Sequence, residues 1–267
     1  MFLIVDNGRN VNGDKMKKFV FLILSFLIVG CASAPAPKGF TKQEFPAKTL
    51  KLTGYVKKIK AGEKLRVYID GNASTVGIFN KSTKLAHPVA AELAQKDPYP
   101  YILYLNRPCY FDDKTPQCQP VVWEQGKYVP EVVDEIKSAL DRLQNKYTLS
   151  ELELVGYDGG AAIALLVATR IKSIPVSVYT FGGILDTKKY ALLTDEELYS
   201  DSLNPVDESY LVARIPQVHF VGGKDKQTPL FLAKDYAKKI EQPVSLKIKS
   251  YPSADHFNWA MFKIELD

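Results

Sequence analysis

Residues 151–162 read Glu151-Leu152-Glu153-Leu154-Val155-Gly156-Tyr157-Asp158-Gly159-Gly160-Ala161-Ala162. A short apolar strand runs into a sharp turn and then into a helix of small and aliphatic residues. The pattern is G-x-Nu-x-G, where glycines allow a tight turn and hold the central side chain out over the strand ends. That side chain is the carboxylate of Asp158, at a position where a serine is expected.

Outward from this turn, strand-like and helix-like segments alternate. Thr49 to Ile59 reads as one or two N-terminal strands, Leu65 to Asp70 as an alternating strand, and Tyr101 to Asn106 as the next. Val129-Pro130 opens a helix to about Tyr147, with Val132, Val133, Ile136, Leu140 and Leu143 on one face. Leu152 to Val155 is the strand before the turn and Ala161 to Ile171 the helix after it. Val176 to Phe181 and Pro216 to Val221 are strands, Pro229 to Ile240 a helix, and Val244 to Tyr251 the last strand. This alternation predicts an α/β fold, a mostly parallel central sheet with helices on both faces. Residues 185–215 break the pattern and read either as a short excursion over the site or as a surface loop with one helical turn.

Sites in such sheets lie at the carboxyl ends of the strands. Asp158, Asp225 and His256 each follow a predicted strand, so they should converge on one edge. Their separations are 67 and 31 residues. Of the three histidines, His219 alternates within a strand and reads as a core residue, and His87 precedes Pro88 in a polar connection. Only His256 follows the last strand in a loop, placed to be a general base oriented by Asp225. Asp225, just after Gly222-Gly223, also reads as a plain turn aspartate.

From Leu65 to Trp259 the chain resembles the α/β-hydrolases, particularly exported lipoprotein-type members of that superfamily. The matching pieces are Tyr68-Ile-Asp-Gly71, Arg107-Pro-Cys109, Leu154-Val-Gly-Tyr-Asp-Gly-Gly160, Ser202-Leu-Asn-Pro205, His219-Phe-Val-Gly-Gly-Lys-Asp225 and His256-x-x-Trp259. Those relatives carry serine where this chain has Asp158. The resemblance implies Asp158 at the nucleophile position, His256 as base and Asp225 as orienter. It places an oxyanion hole on the backbone N–H groups of Gly159 and the 71–73 loop, at Asn72. A carboxylate attacks saturated carbon better than an ester, forming an alkyl ester that His256-activated water can hydrolyse. Haloalkane dehalogenases and epoxide hydrolases of this superfamily use an elbow aspartate in that way. The chain lacks the dehalogenase tryptophan after the nucleophile, and Trp259 reads as a packing residue. Two functions follow as expectations: a hydrolase of a small substrate, or an inactive relative that binds a ligand or acts as a cell-envelope scaffold. A third reading makes Asp158 an anion stabilising the following helix.

The N-terminus points to export. Residues 1–30 read as a signal peptide whose true start is Met16, with a basic Met16-Lys17-Lys18 and an apolar run of eleven residues, Phe19 to Val29. The ending Gly30-Cys31 resembles the lipobox of bacterial lipoproteins, which implies a lipid on Cys31; an ordinary signal peptide is the alternative. Residues 31–42 then form a lipidated cysteine and Pro-rich linker, and residues 43–267 a single domain. The expected location is the bacterial cell envelope, facing the periplasm, with a mild preference for the outer membrane. Cys109 and Cys118 lie in one polar loop, where an oxidising compartment favours a disulfide. They have no nearby histidine and no C-x-x-C spacing, so no metal or cofactor is expected. The net charge of +5 is scattered without a basic stripe, which argues against nucleic acid.

Overall fold

The computed structural model describes residues 37–71, 88–109 and 127–266. Cys31, Asn72, His87 and Cys118 lie outside the described residues. Eight strands form one sheet: β1 (Thr41–Pro46), β2 (Lys51–Val56), β3 (Leu65–Ile69), β4 (Ile102–Leu105), β5 (Leu152–Tyr157), β6 (Val176–Phe181), β7 (Gln217–Gly222) and β8 (Leu246–Tyr251). Their order is β1-β2-β4-β3-β5-β6-β7-β8. The β1–β2 and β2–β4 pairs are antiparallel, and every pairing from β4 to β8 is parallel.

Among the described residues the helices are α1 (Val89–Lys96), α2 (Pro130–Tyr147), α3 (Gly159–Arg170), α4 (Thr187–Thr194), α5 (Ser209–Val212) and α6 (Leu230–Lys239). Strand residues divide between two cores. Leu65, Val67, Ile69, Leu103, Leu105, Leu152 and Leu154 pack with α2, α3 and α6. Tyr68, Ile102, Tyr104, Val155 and Tyr157 pack with α1 and Trp259 on the opposite face. A parallel sheet is covered on both sides for this reason: each face must lose its apolar surface to a helical layer. Among the described residues, no helix is long and apolar enough to cross a membrane.

Two expectations shift. The first strand lies at residues 41–46, within and beyond the stretch read as linker. It is an edge strand with only Phe45 buried, so it carries no apolar alternation to read. β3, read as an alternating strand, is buried on both faces. Its polar residues find partners inside: Arg66 bonds Glu153 (2.7 Å) and Asp97 (2.7 Å), and the Tyr68 hydroxyl donates to Asp97 (2.6 Å). The 185–215 segment is more ordered than a loop, with α4, a 3-10 turn at Pro205–Glu208 and α5.

Arg66 and Glu153 are register partners across β3 and β5. Their ion pair, both side chains buried, aligns the two strands whose far ends carry Asp70 and Asp158. Removing one member of a buried pair leaves an uncompensated charge and typically costs about 3–5 kcal/mol. Arg66→Ala should therefore lose stability on that scale in urea denaturation. A loss below about 1 kcal/mol, typical of an exposed pair, would refute this role.

Candidate active site

The turn after β5 is held in a conformation that few side chains adopt. Asp158 has φ 49° and ψ −123°, a strained region for a residue with a Cβ. The surroundings fix it. The Asp158 N–H donates to the Phe181 carbonyl (3.1 Å), and the Asp158 carbonyl accepts from Ala161 (3.1 Å) and Ile184 (3.0 Å). Close approach explains the glycines. A Cβ on Gly156 would meet Ala161 Cα at 2.5 Å, and one on Gly160 would meet the Asp70 carbonyl at 2.5 Å. The helix that begins here therefore sits directly on the end of β3.

Asp225 follows β7 and His256 follows β8, as the sequence predicts. His256 Nδ1 lies 2.9 Å from Asp225 Oδ2, and His256 Nε2 lies 3.7 Å from Asp158 Oδ1. The second separation is longer than a hydrogen bond. The structure thus brings all three residues together, with the imidazole between two carboxylates. Asp225 is more than a turn residue. Its Oδ1 accepts from the backbone of Gln227 (2.9 Å) and Thr228 (2.8 Å), and its Oδ2 accepts from Thr228 Oγ1 (2.8 Å) as well as facing His256. Tyr157 and Phe257 flank the imidazole, each with ring centroids 5.1 Å away.

Burial alone would raise the Asp225 carboxyl. Hydrogen bonds from His256 and Thr228 outweigh it and hold the group below the ordinary carboxylate range. For His256, burial works against the charged ring. The hydrogen bond to Asp225 and the charges of Asp158, Asp225 and Asp255 prevail and raise it. His219 is buried with no charge partner, so desolvation lowers it to about 3. Its ring nitrogens bond Thr180 Oγ1 (2.8 Å) and Gln217 Oε1 (2.9 Å), and it is a core residue, as expected. Trp259 is likewise packing, edge-on to Phe181 with centroids 5.5 Å apart.

Gly159 opens α3, where the first N–H groups have no partner within the helix. This is the position expected of one oxyanion donor; Asn72, expected to supply the other, lies outside the described residues. Asp158 stands at the N-cap of α3, yet its side chain makes no capping hydrogen bond. A contribution to that helix would therefore come through its dipole and not through a capping bond.

The sequence reading assigned no site role to Gly182 or Asp70. Gly182 has φ 49°, and a Cβ there would stand 2.9 Å from Asp225 Oδ2. Any larger residue would therefore press on the Asp225–His256 contact. Tyr190 on α4 is raised by burial first and then by the charge of Asp158, which places the excursion beside the site. Asn106, just after β4, is buried, and neither polar atom of its amide has a hydrogen-bond partner among the described residues. Asp70, directly after β3, is buried and is pushed up to about 6 by burial, with the Asp158 charge adding to the rise. In the sequence Asp70 stands in the matching piece Tyr68-Ile-Asp-Gly71, directly after β3, which gives it no role of its own.

No family model matches the chain, and no curated protein matches it in sequence. Solved structures do. The chain is similar to acylaminoacyl peptidase from Pyrococcus horikoshii, with 17% identity over 83% of this chain and 38% of that one, at a TM-score of 0.59. It is similar to the esterase Pf2001 from Pyrococcus furiosus, with 12% identity over 81% of this chain and 82% of that one, at 0.56. TT1662 from Thermus thermophilus aligns at 16% identity over 83% and 92%, at 0.55. This chain spans 38% of the length of the first of these, the peptidase. With the strand order above, these likenesses define the fold as that of the α/β-hydrolases.

The linkage signs follow from the two shifted groups. A depressed Asp225 contributes stability that is present above its unfolded value, about 3.9, and lost as pH falls through the lower folded value. A raised His256 contributes stability that is complete below about 6.5 and lost as pH rises through the higher folded value. The pair is therefore strongest between about pH 4 and 6.5. Asp225→Asn should lose most stability in that window and flatten the dependence of unfolding free energy on pH. An equal loss at every pH would show that the pair does not titrate as described.

Proposed function

We propose that this protein is a hydrolase that works through an ester on Asp158, with His256 as base and Asp225 as its orienter. One observation carries the reading. Three groups that lie 67 and 31 residues apart in sequence meet at 3.7 Å and 2.9 Å around one imidazole. The resemblance of the fold to hydrolases supports the reaction class, and the carboxylate at 158 narrows the chemistry.

A serine at this position would pass its proton to His256. Asp158 as a carboxylate has none to give, so the histidine serves the second step instead. In the first step an Asp158 oxygen forms a bond to a saturated carbon, and the leaving group departs with the electron pair. In the second, water adds to Asp158 Cγ while His256 Nε2 takes its proton. The oxyanion forms on Asp158 itself, next to the Gly159 N–H that opens α3. Collapse expels the alcohol, which takes the proton back from His256, and the Asp158 carboxyl then gives up the second proton of the water to solvent, which restores the carboxylate. The charge logic suits this order. Asp158 raises His256 in the free protein, and esterification removes that charge when a neutral base is required.

The remaining parts of the reading rest on sequence. A lipid on Cys31 would hold the domain at the cell envelope, facing the periplasm, and Cys109, which is buried, would pair with Cys118. The substrate is a small molecule with a leaving group on saturated carbon. A binding or scaffold protein is the second reading, favoured by the replacement of serine at 158. It predicts that Asp158→Ser creates esterase activity where the parent has none.

The test is trapping. In His256→Gln the ester should accumulate during incubation with panels of alkyl halides and epoxides. Mass spectrometry should find the Asp158 peptide heavier by the alkyl or hydroxyalkyl group. No adduct with either class, together with esterase activity gained in Asp158→Ser, would favour the binding protein.

A further inference from the structure

The turn at Gly71 bears directly on Asp158. A Cβ built on Gly71 would stand 2.5 Å from Asp158 Oδ2 and 2.6 Å from Asp158 Cβ. Only a bare backbone fits there, so one face of the carboxylate rests on the turn. The other oxygen, Oδ1, is the one 3.7 Å from His256 Nε2. Where the turn sits therefore governs which oxygen looks at the histidine.

Asp70 anchors the turn. Its side chain is buried, Oδ2 accepts from the Tyr104 hydroxyl at 2.6 Å, and Oδ1 accepts from the Ala90 N–H at 3.2 Å. One carboxylate thus ties β3 to β4 and to the first turn of α1, where N–H groups lack helical partners. From the other side, Gly160 packs on the Asp70 carbonyl. Burying a carboxylate here has a cost, since desolvation and the Asp158 charge both work against its ionised form. A purely apolar residue would avoid that cost and lose both hydrogen bonds.

We infer that Asp70 is a positioning residue: it clamps the Gly71 turn against Asp158 and so keeps Asp158 Oδ1 turned toward His256. The inference concerns the geometry of the site and needs no substrate, so it stands or fails separately from turnover.

The readout is the titration of the His256 ring, followed by NMR. The groups that act on it are Asp158, Asp225 and Asp255, with the Tyr157 and Phe257 rings against its faces. His219 is held neutral in the core and does not interfere, and His256→Gln identifies the signal. In the parent, Asp158→Asn should lower the His256 midpoint by about one to three units, between the bulk-water and protein-surface strengths of a charge about 4 Å away. In an Asp70→Ala background the same substitution should lower it by less than half as much, because Asp158 is free to turn away. Asp70→Asn keeps an acceptor and should restore most of the coupling. The direct effect of the Asp70 charge cancels in this comparison. Should Asp70→Ala not fold, Tyr104→Phe removes only the hydroxyl from the clamp and should weaken the coupling too. An Asp158→Asn shift of the same size in parent and clamp variants would overturn the inference.

Discussion

Everything at the site depends on how closely the first turn of α3 lies against the end of β3. Gly160 has no Cβ because the Ile69 and Asp70 carbonyls occupy that space. That contact needs β3 and β5 in a fixed register, and Arg66 with Glu153 supplies a polar lock at their opposite ends. With the strands aligned, Asp158 and Gly71 meet as a matter of chain geometry. The same alignment carries through β6, whose Phe181 carbonyl accepts the Asp158 N–H. A strained backbone at Asp158 persists because hydrogen bonds on both sides over-determine it.

Around this frame, like groups behave differently because their surroundings differ. Asp225 makes four hydrogen bonds with three residues and is held ionised despite its burial. Asp70 is at least as deeply buried, and the hydrogen bonds it accepts leave desolvation dominant. His256 is charged more readily than a free imidazole because three aspartates act on it together, whereas His219, buried among neutral partners, resists protonation. Burial sets the direction for an isolated group, and specific partners decide whether it is reversed. In the proposed reaction this matters at one moment: forming an ester on Asp158 removes one of the three charges that favour the imidazolium.

Much of this could be read from the chain. Helix α2 appears where Val132, Val133, Ile136, Leu140 and Leu143 mark one face, and all five are buried. The strand–turn–helix at 152–170 and the strands ending before Asp225 and before the His256 loop lie close to where periodicity puts them. Local pattern is a good guide there because these elements bury complete apolar faces. It fails for β1, whose exposed residues leave no such trace. It is silent on the burial of Arg66 and Tyr68 in β3 and of Asp70 just after it, which are satisfied by Glu153, Asp97 and Tyr104.

The sequence by itself determined the fold class and three of the residues at the site, because hydrophobic period, glycine spacing and chain order are local properties of a polymer. Only the tertiary structure decided how those residues face one another. It placed the imidazole nearer to Asp225 than to Asp158, set Gly182 against the pair, and revealed Asp70 behind the turn on which Asp158 rests. These are distances between atoms far apart along the chain, set by packing of whole layers, and a one-dimensional pattern carries no term for them.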